Sequence, residues 1–387
     1  MEQKKANLIC MIVPYFDRIG GYELQALSLC KAYQRFGIKT FILTTYSSGH
    51  SHYEKKENID IYRVPRFTEG IHAVPLYVLY LFWKLKKVPS IFHCHSISPF
   101  TEQILTINRY LKIPVLCKIA TQGDIHRLQA ELHRIGKRGL RRKKNYEQVT
   151  FISINSNIKQ ELVNFNITKN NIISIPNGVD TTRFVPISQE EKIKIKQEVG
   201  FLENEKLITF VGRFEERKRT IDLIQAWGVI EKKYPQHHLL LVGDGDERKT
   251  CENLCTRLNL QKRVTFIGLS PCVDKFLQIS DLFVFPSRLE GLPNVILEAM
   301  ATGLPILSTD ISGINEVIEH EKTGFLVPPQ NQAALIQGLH YLLLNPLQAQ
   351  EYGLAARQKI LSEYCFNQVA PKFFDLYESL AKVRTCQ

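Results

Sequence analysis

Apolar runs of a few residues alternate with longer amphipathic stretches along almost the whole chain. In the first half the short runs are "NLICMIVPY", "KTFILTT", "SIFHCHS", "PVLCKIAT" and "VTFISIN". A second series follows: "LITFVGRF", "HLLLVGDG", "RVTFIGL", "DLFVFPS", "PILSTD" and "GFLVPP". Short apolar strands separated by helical stretches are the pattern of α/β parallel sheets wrapped in helices. The restart after the polar helical stretch "SQEEKIKIKQEVGF" predicts two doubly wound domains joined near residues 176 to 200. Ligands of such sheets sit beyond the C-terminal ends of the strands, so two such domains facing each other would enclose a cleft.

The length, 387 residues, fits two domains, and 44% hydrophobic with 23% charged residues is an ordinary globular composition. A net charge of +12 changes the picture, because it points to an anionic partner: nucleotide, nucleic acid or membrane surface. Nine cysteines without regular spacing form no disulfide framework, and Cys251 and Cys255 lack a second pair for zinc. A reducing, cytosolic compartment is expected. The apolar run Leu8 to Val13 stops at Pro14 and reads as a first buried strand, not a signal peptide. The run from Pro75 to Lys84 in "AVPLYVLYLFWKLKK" is too short for a bilayer, which needs about twenty residues, and is expected to be a core helix.

The loops after the strands carry the candidate chemistry. In "EGLPNVILEAMATGLP", Pro293 suits the first position of a helix that Gly303 and Pro305 end. The N–H groups from Gly291 through Leu292 and Asn294 to Val295 would suit a phosphate, with Glu290 just before them and Glu298 deeper along the helix. The plain alternative is two capping or solvent-facing glutamates. Gly20 and Gly21 precede a helix, where a phosphate could approach the backbone, or else form a tight turn. Arg213 and Lys218 in "VGRFEERKR" offer a planar fork and a point charge for a diphosphate; alone they read as surface cations. Gly243-x-Gly245 lacks the third glycine of a dinucleotide site, having Arg248 there, and the Asp244, Asp246 pair reads more simply as a turn than as a metal site.

Taken in order, "ISIPNGVDTTRF", "FVGRFEERK", "LLLVGDG", "VTFIGL", "ISDLFVFPSRLEGLPNVILEAMATGLPIL" and "GFLVPP" resemble the retaining glycosyltransferases of family 4, which have the GT-B fold. The resemblance is strong from about residue 150 to 365 and looser before that. It implies an N-terminal acceptor-binding domain over 1–185, completed by a C-terminal helix over 366–387, and a donor-binding domain over 186–365. It also implies that Glu290 faces the donor sugar, Glu298 holds the ribose hydroxyls, and the amides after Glu290 meet the phosphates. Arg213 and Lys218 match the diphosphate pair, Gly21 the glycine that closes over the phosphates, and the loop around Ser270 the base contact. No metal or other cofactor is needed on this reading, because the two cations take that role. The donor is a nucleoside-diphosphate sugar, UDP before GDP, and the acceptor a glycan or lipid-linked molecule of cell-surface polysaccharide or glycolipid synthesis. Where many members carry a histidine near the reacting sugar, this chain has Gln122, which donates a hydrogen bond but exchanges no proton near neutral pH. Either Gln122 positions the donor, or Asp124 or His126 takes the role. His93 and His95 face either the cleft or a strand end. A non-catalytic nucleotide-sugar-binding scaffold, or a GT-B epimerase or phosphorylase, is the rival reading.

In the stretch "HRLQAELHRIGKRGLRRKKNYEQ", residues 127 to 144 hold Arg127, Arg134, Lys137, Arg138, Arg141, Arg142, Lys143 and Lys144 against Glu131 alone, with Leu128, Leu132 and Ile135 as an apolar stripe. Several cations near an anionic bilayer contribute about 1 kcal/mol each, so reversible attachment to the inner face of the cell membrane is expected. The scarcity of aromatic residues argues against a nucleic-acid partner.

Overall fold

The computed structural model describes residues 8–16, 20–46, 49–64 and 73–385. The chain divides into two compact units, one running up to Asn177 and resuming at Phe366, the other spanning Gly178–Cys365. Residues 178–185, expected in the first domain, therefore pack in the second. The reason is backbone pairing: Val179 donates its N–H to the Tyr364 carbonyl at 2.9 Å and bridges to Cys365.

The first unit is built on an eight-stranded sheet, where five strands were expected. Its strands are β1 (Leu8–Ile12), β2 (Lys39–Thr45), β3 (Tyr53–Lys56), β4 (Ile59–Val64), β5 (Ile91–Cys94), β6 (Val115–Ile119), β7 (Thr150–Ser153) and β8 (Ile172–Ser174). The order is β3-β4-β2-β1-β5-β6-β7-β8, parallel except for β3. Strand β3 escapes the apolar pattern because it is an exposed polar edge, and β4, though its Ile59, Ile61 and Val64 are buried, interleaves them with Asp60, Tyr62 and Arg63 instead of forming an apolar run. Glu57 and Asn58 turn the β3–β4 hairpin with φ of 50° and 63°, as a two-residue hairpin requires. The helices are α1 (Gly21–Arg35), α2 (Ala73–Leu85), α3 (Pro99–Leu111), α4 (Asp124–Arg134), α5 (Lys137–Lys143) and α6 (Ser156–Asn164). Strand order reverses direction between β1 and β5, so right-handed crossovers place α1 on one face and α2 to α6 on the other.

The second unit has a six-stranded parallel sheet of β9 (Lys206–Val211), β10 (His237–Val242), β11 (Val264–Gly268), β12 (Leu282–Phe285), β13 (Ile306–Thr309) and β14 (Phe325–Val327), in the order β11-β10-β9-β12-β13-β14. Around it lie α7 (Gln189–Glu198), α8 (Thr220–Ile230), α9 (Arg248–Arg257), α10 (Val273–Ile279), α11 (Asn294–Ala301), α12 (Gln332–Leu344) and α13 (Pro346–Lys359). The last helix, α14 (Phe366–Thr385), belongs to the first unit and packs on α1. Val369, Ala370, Phe373 and Tyr377 join the apolar core formed by β1, β5 and α1.

Inside that core sits a polar cluster. His93 and His95 are buried and stacked, with ring centroids 4.5 Å apart. His93 Nδ1 lies 2.6 Å from the Tyr377 hydroxyl, which in turn lies 3.1 Å from that of Tyr33. Both Nε2 atoms lack a hydrogen-bond partner among the described residues, and the buried ammonium of Lys118 lies close enough to oppose protonation of either ring. Burial, then Lys118, pushes the His93 pKa down to about 3; burial, His93 and Lys118 lower that of His95. Burial brings Lys118 itself down to about 7. In an unfolded chain a histidine takes up its proton near pH 6.5, whereas here it stays neutral, so acid favours unfolding. Stability of this unit is expected to fall as pH drops from 6.5, by about 2 kcal/mol from His93 alone at pH 5. A thermal midpoint that is lower at pH 5 than at pH 7.5, with the difference reduced in His93→Gln, checks this.

Candidate active site

In the second unit the strand order changes direction at β9, whose neighbours are β10 and β12. The loops after β9 and β12 therefore lie side by side, at the position where open parallel sheets form a binding crevice. Arg288 donates its backbone N–H to the Arg217 carbonyl at 2.9 Å, and Ser287 Oγ reaches the same oxygen at 2.9 Å.

The β9 loop is also clamped from the β10 side. Gly243 (φ 137°) and Gly245 (φ 157°) let the "GDG" turn close on it: a Cβ would fall 1.9 Å from the Gly212 carbonyl at Gly243 and 2.5 Å from the Phe214 carbonyl at Gly245. The glycines thus serve backbone approach rather than a dinucleotide. Asp244 accepts from the Gly245 N–H at 2.8 Å, and no group of three His, Cys, Asp or Glu among the described residues is placed to hold a metal ion. Arg213, held between these turns, is exposed.

Lys218 lies in a short 3₁₀ turn (Glu216–Lys218) and not in α8 itself. Its ammonium is buried, sits 4.7 Å from the Phe285 ring centre, and donates to Glu290 Oε1 at 2.6 Å. Burial lowers its pKa and Glu290 opposes that shift. Glu290, 5% exposed, also accepts from Ser287 Oγ at 2.6 Å and from Arg217 Nη1 at 3.2 Å. Arg217 is anchored in turn on Glu215 at 2.6 Å. Arg217 and Ser287 were not singled out from the sequence, although both stand beside residues that were.

Gly291, Leu292 and Pro293 are buried, and α11 starts at Asn294 with Pro293 as its cap (φ −69°, ψ 124°), one place later than expected. Extended ψ at Pro293 keeps it outside the helix proper. Glu298 follows in the second turn, half-buried; burial pushes its pKa up to about 7, Arg183 pulls it down and Asp274 raises it. Arg183 donates from Nε to Asp274 at 3.0 Å and from Nη2 to the Pro271 carbonyl at 2.6 Å, which ties down the loop holding Ser270. Ser270 Oγ accepts from the Cys272 N–H at 3.1 Å. Arg183 was visible in "NGVDTTRF" but had no partner in the sequence to mark it. Two charged clusters thus flank the start of α11: Lys218 with Glu290, and Arg183 with Asp274 and Glu298.

The remaining candidates lie in the first unit. Gly21 is the first residue of α1, while residues 17–19 of its loop fall outside the described residues. Tyr22 Oη lies 2.9 Å from Thr121 Oγ1, so this helix start adjoins the loop of Gln122. Glu161 accepts from the Gly123 N–H at 2.8 Å and fixes that loop. Gln122 is half-buried, Asp124 is buried and paired with Arg127, and His126 is exposed on α4. His93 and His95 belong to the buried core cluster.

Only part of the basic run is exposed. Arg134, Lys137, Arg138, Arg141 and Lys144 are exposed, but Arg142 pairs with Glu102 and Glu131, and Lys143 lies 4.8 Å from the Phe165 ring centre. Leu128 and Leu132 are buried and form no outer stripe, α4 packing against α5 and α6. No helix among the described residues is long and apolar enough to cross a membrane.

A family model described as Glycosyltransferase Family 4 matches residues 19–183, and one described as Glycosyl transferases group 1 matches residues 191–359. An uncharacterized glycosyltransferase of Methanocaldococcus jannaschii is 30% identical over 60% of this chain and 60% of its own length. A UDP-Gal:α-D-GlcNAc-diphosphoundecaprenol α-1,3-galactosyltransferase of Escherichia coli is 35% identical over 43% of each chain. The chain spans about half, and up to 60%, of the length of the curated relatives it matches. Among solved structures, Anabaena HepE in complex with UDP and glucose has a TM-score of 0.80 at 18% identity, covering 96% of this chain and 99% of that one. A sucrose-phosphate synthase of Thermosynechococcus elongatus gives 0.79 at 22% identity, covering 97% of this chain and all of the other.

Proposed function

The chain belongs to the family 4 glycosyltransferases of GT-B fold, and on that premise we propose that it moves a sugar, with retention of configuration, from a nucleoside-diphosphate sugar to a glycan or lipid-linked acceptor. The observation that carries the reading is the buried Lys218–Glu290 pair at the start of α11. A leaving diphosphate gains negative charge as the sugar bond breaks, and preorganised cations with a helix N-terminus stabilise it where it forms. Lys218 and the exposed Arg213 supply that charge, so no divalent metal is required. When Lys218 turns to the diphosphate, Arg217 and Ser287 still hold Glu290, whose carboxylate favours the positive charge growing on the sugar ring. Glu298 takes the ribose hydroxyls and the Ser270 loop, tied by Arg183, meets the base. The family resemblance assigns Gln122 and Gly21, in the first unit, to donor binding as well.

UDP is the favoured nucleotide, supported by the UDP held by the HepE structure and the UDP-galactose donor in the name of the E. coli relative. The exposed cations Arg134, Lys137, Arg138, Arg141 and Lys144 attach this basic protein to an anionic membrane surface, where a lipid-linked acceptor is presented. Nucleotide release from a panel of UDP- and GDP-sugars, run with EDTA and with magnesium, tests the reading. Release from a UDP-sugar at equal rates in both, yielding the α-sugar from an α-donor by NMR, is expected. Release that needs magnesium, or an inverted product, would overturn it.

A further inference from the structure

The expected core helix, α2, is only half a core helix. Val78, Leu81 and Phe82 are buried against the first unit, but Leu76 (68% exposed), Leu79, Tyr80 and Trp83 (76% exposed) face outward. Their spacing, i, i+3, i+4 and i+7, makes one continuous stripe, and the rings of Tyr80 and Trp83 lie 6.1 Å apart. A helix apolar all round belongs in a core or in lipid, and this one has a core on one side only. At 13 residues it is too short to span a bilayer.

The surroundings decide what covers it. Lys84, Lys86, Lys87 and Val88 are exposed at its C-terminal end. Helix α3, which packs against α2, ends with exposed Arg109, Tyr110 (87% exposed) and Lys112. On the far side of α3, the stretch at Lys144–Tyr146 continues the basic α5, and a cleft of about 410 Å³ there is lined by Arg109, Arg141, Lys144, Asn108 and Asn145. Between residues 73 and 112 the chain has a single acidic residue, Glu102, and it is bound by Arg142 and Tyr146. All these elements are on one face of the sheet. Exposed Trp and Tyr, aliphatic side chains between them, and a surround of unopposed Lys and Arg are the composition of a helix lying in the plane of an anionic bilayer surface.

We propose that the outer face of α2 enters the interfacial layer of an anionic membrane, with Leu76, Leu79, Tyr80 and Trp83 below the headgroups and the flanking cations among the phosphates. This goes beyond attachment by α5, which is electrostatic and leaves no side chain among the acyl chains.

The chain holds two tryptophans, and Trp227 is fully buried, so Trp83 reports on its own surface. The full-length protein is titrated with vesicles of phosphatidylglycerol and phosphatidylcholine carrying brominated acyl chains. Blue-shifted and bromine-quenched emission is expected, absent in Trp83→Phe. Leu76→Ser with Leu79→Ser, both at exposed positions, should weaken vesicle binding by about tenfold or more, with an unchanged unfolding midpoint. Binding without quenching, abolished by roughly 0.5 M salt, would leave attachment by α5 standing and overturn insertion of α2. No binding at all would overturn both. Burial of Trp83 that depends on protein concentration without lipid would make the face a protein interface and overturn the proposal.

Discussion

Replacing Lys218 with methionine is expected to lower kcat/KM for sugar transfer by about two to three orders of magnitude, the usual effect of removing one preorganised donor from a developing oxyanion. The same change strands Glu290, buried and left with Arg217 and Ser287 as its partners. A stability loss of about 1–3 kcal/mol should accompany it. The two effects separate in the double variant Lys218→Met with Glu290→Gln. Removing both charges recovers most of the thermal midpoint, while activity stays lost because the diphosphate has no cation. Steady-state rates and unfolding midpoints of the three variants check this; an active Lys218→Met enzyme would remove the central cation from the mechanism.

The second large effect concerns Glu298. A carboxylate that binds ribose hydroxyls must be ionised, yet burial holds this one near pKa 7 in the ligand-free protein. Nucleotide affinity should therefore rise about tenfold from pH 6 to pH 8 and then level off, following the ionised fraction. The sign for stability is opposite. A carboxyl whose folded pKa lies above its unfolded value stabilises the ligand-free fold at low pH, and that contribution is lost as pH rises through 7. Glu298→Gln should thus be at least as stable as wild type at pH 8 without ligand, but bind the nucleotide about 10- to 150-fold more weakly, the loss of hydrogen bonds to a charged acceptor. Calorimetric titration with UDP at pH 6 and 8 tests both statements. The glutamine variant also subtracts the nucleotide's own titration, and a pH dependence that persists in it would place the titrating group elsewhere. Arg183→Ala, which removes the cation favouring ionised Glu298, should move the rise in affinity to higher pH.

Much of this was legible in the sequence, and the exceptions share a cause. Strand–helix alternation exposed both sheets, and the Glu290 and Glu298 spacing marked a helix start because caps and periodicity are local. The Lys218–Glu290 pair was not legible, since its members are 72 positions apart and meet only because β9 and β12 are neighbours. Arg183 was missed for the same reason, its partner Asp274 lying 91 positions away. The basic run shows the limit of counting charges: Arg142 and Lys143 look like their neighbours in sequence, but one is paired and the other packed on an aromatic ring. In α2 the apolar pattern was read correctly as a helix but only half correctly as core: Val78, Leu81 and Phe82 are buried whereas Leu76, Leu79, Tyr80 and Trp83 are exposed, and a buried and an exposed apolar stripe have the same period.

The most direct test of the account is a thermal-shift panel of UDP, GDP, ADP, their common sugar conjugates and NAD, each with EDTA and with magnesium, on wild type and Glu298→Gln. A ligand at 100 times its Kd adds about 2.7 kcal/mol, enough to move a midpoint by several degrees. A shift with UDP and one of its sugars is expected, equal with and without metal and reduced by about half or more in the variant, whose weaker binding leaves the site less saturated. A shift with NAD alone, or one that requires magnesium, would contradict it.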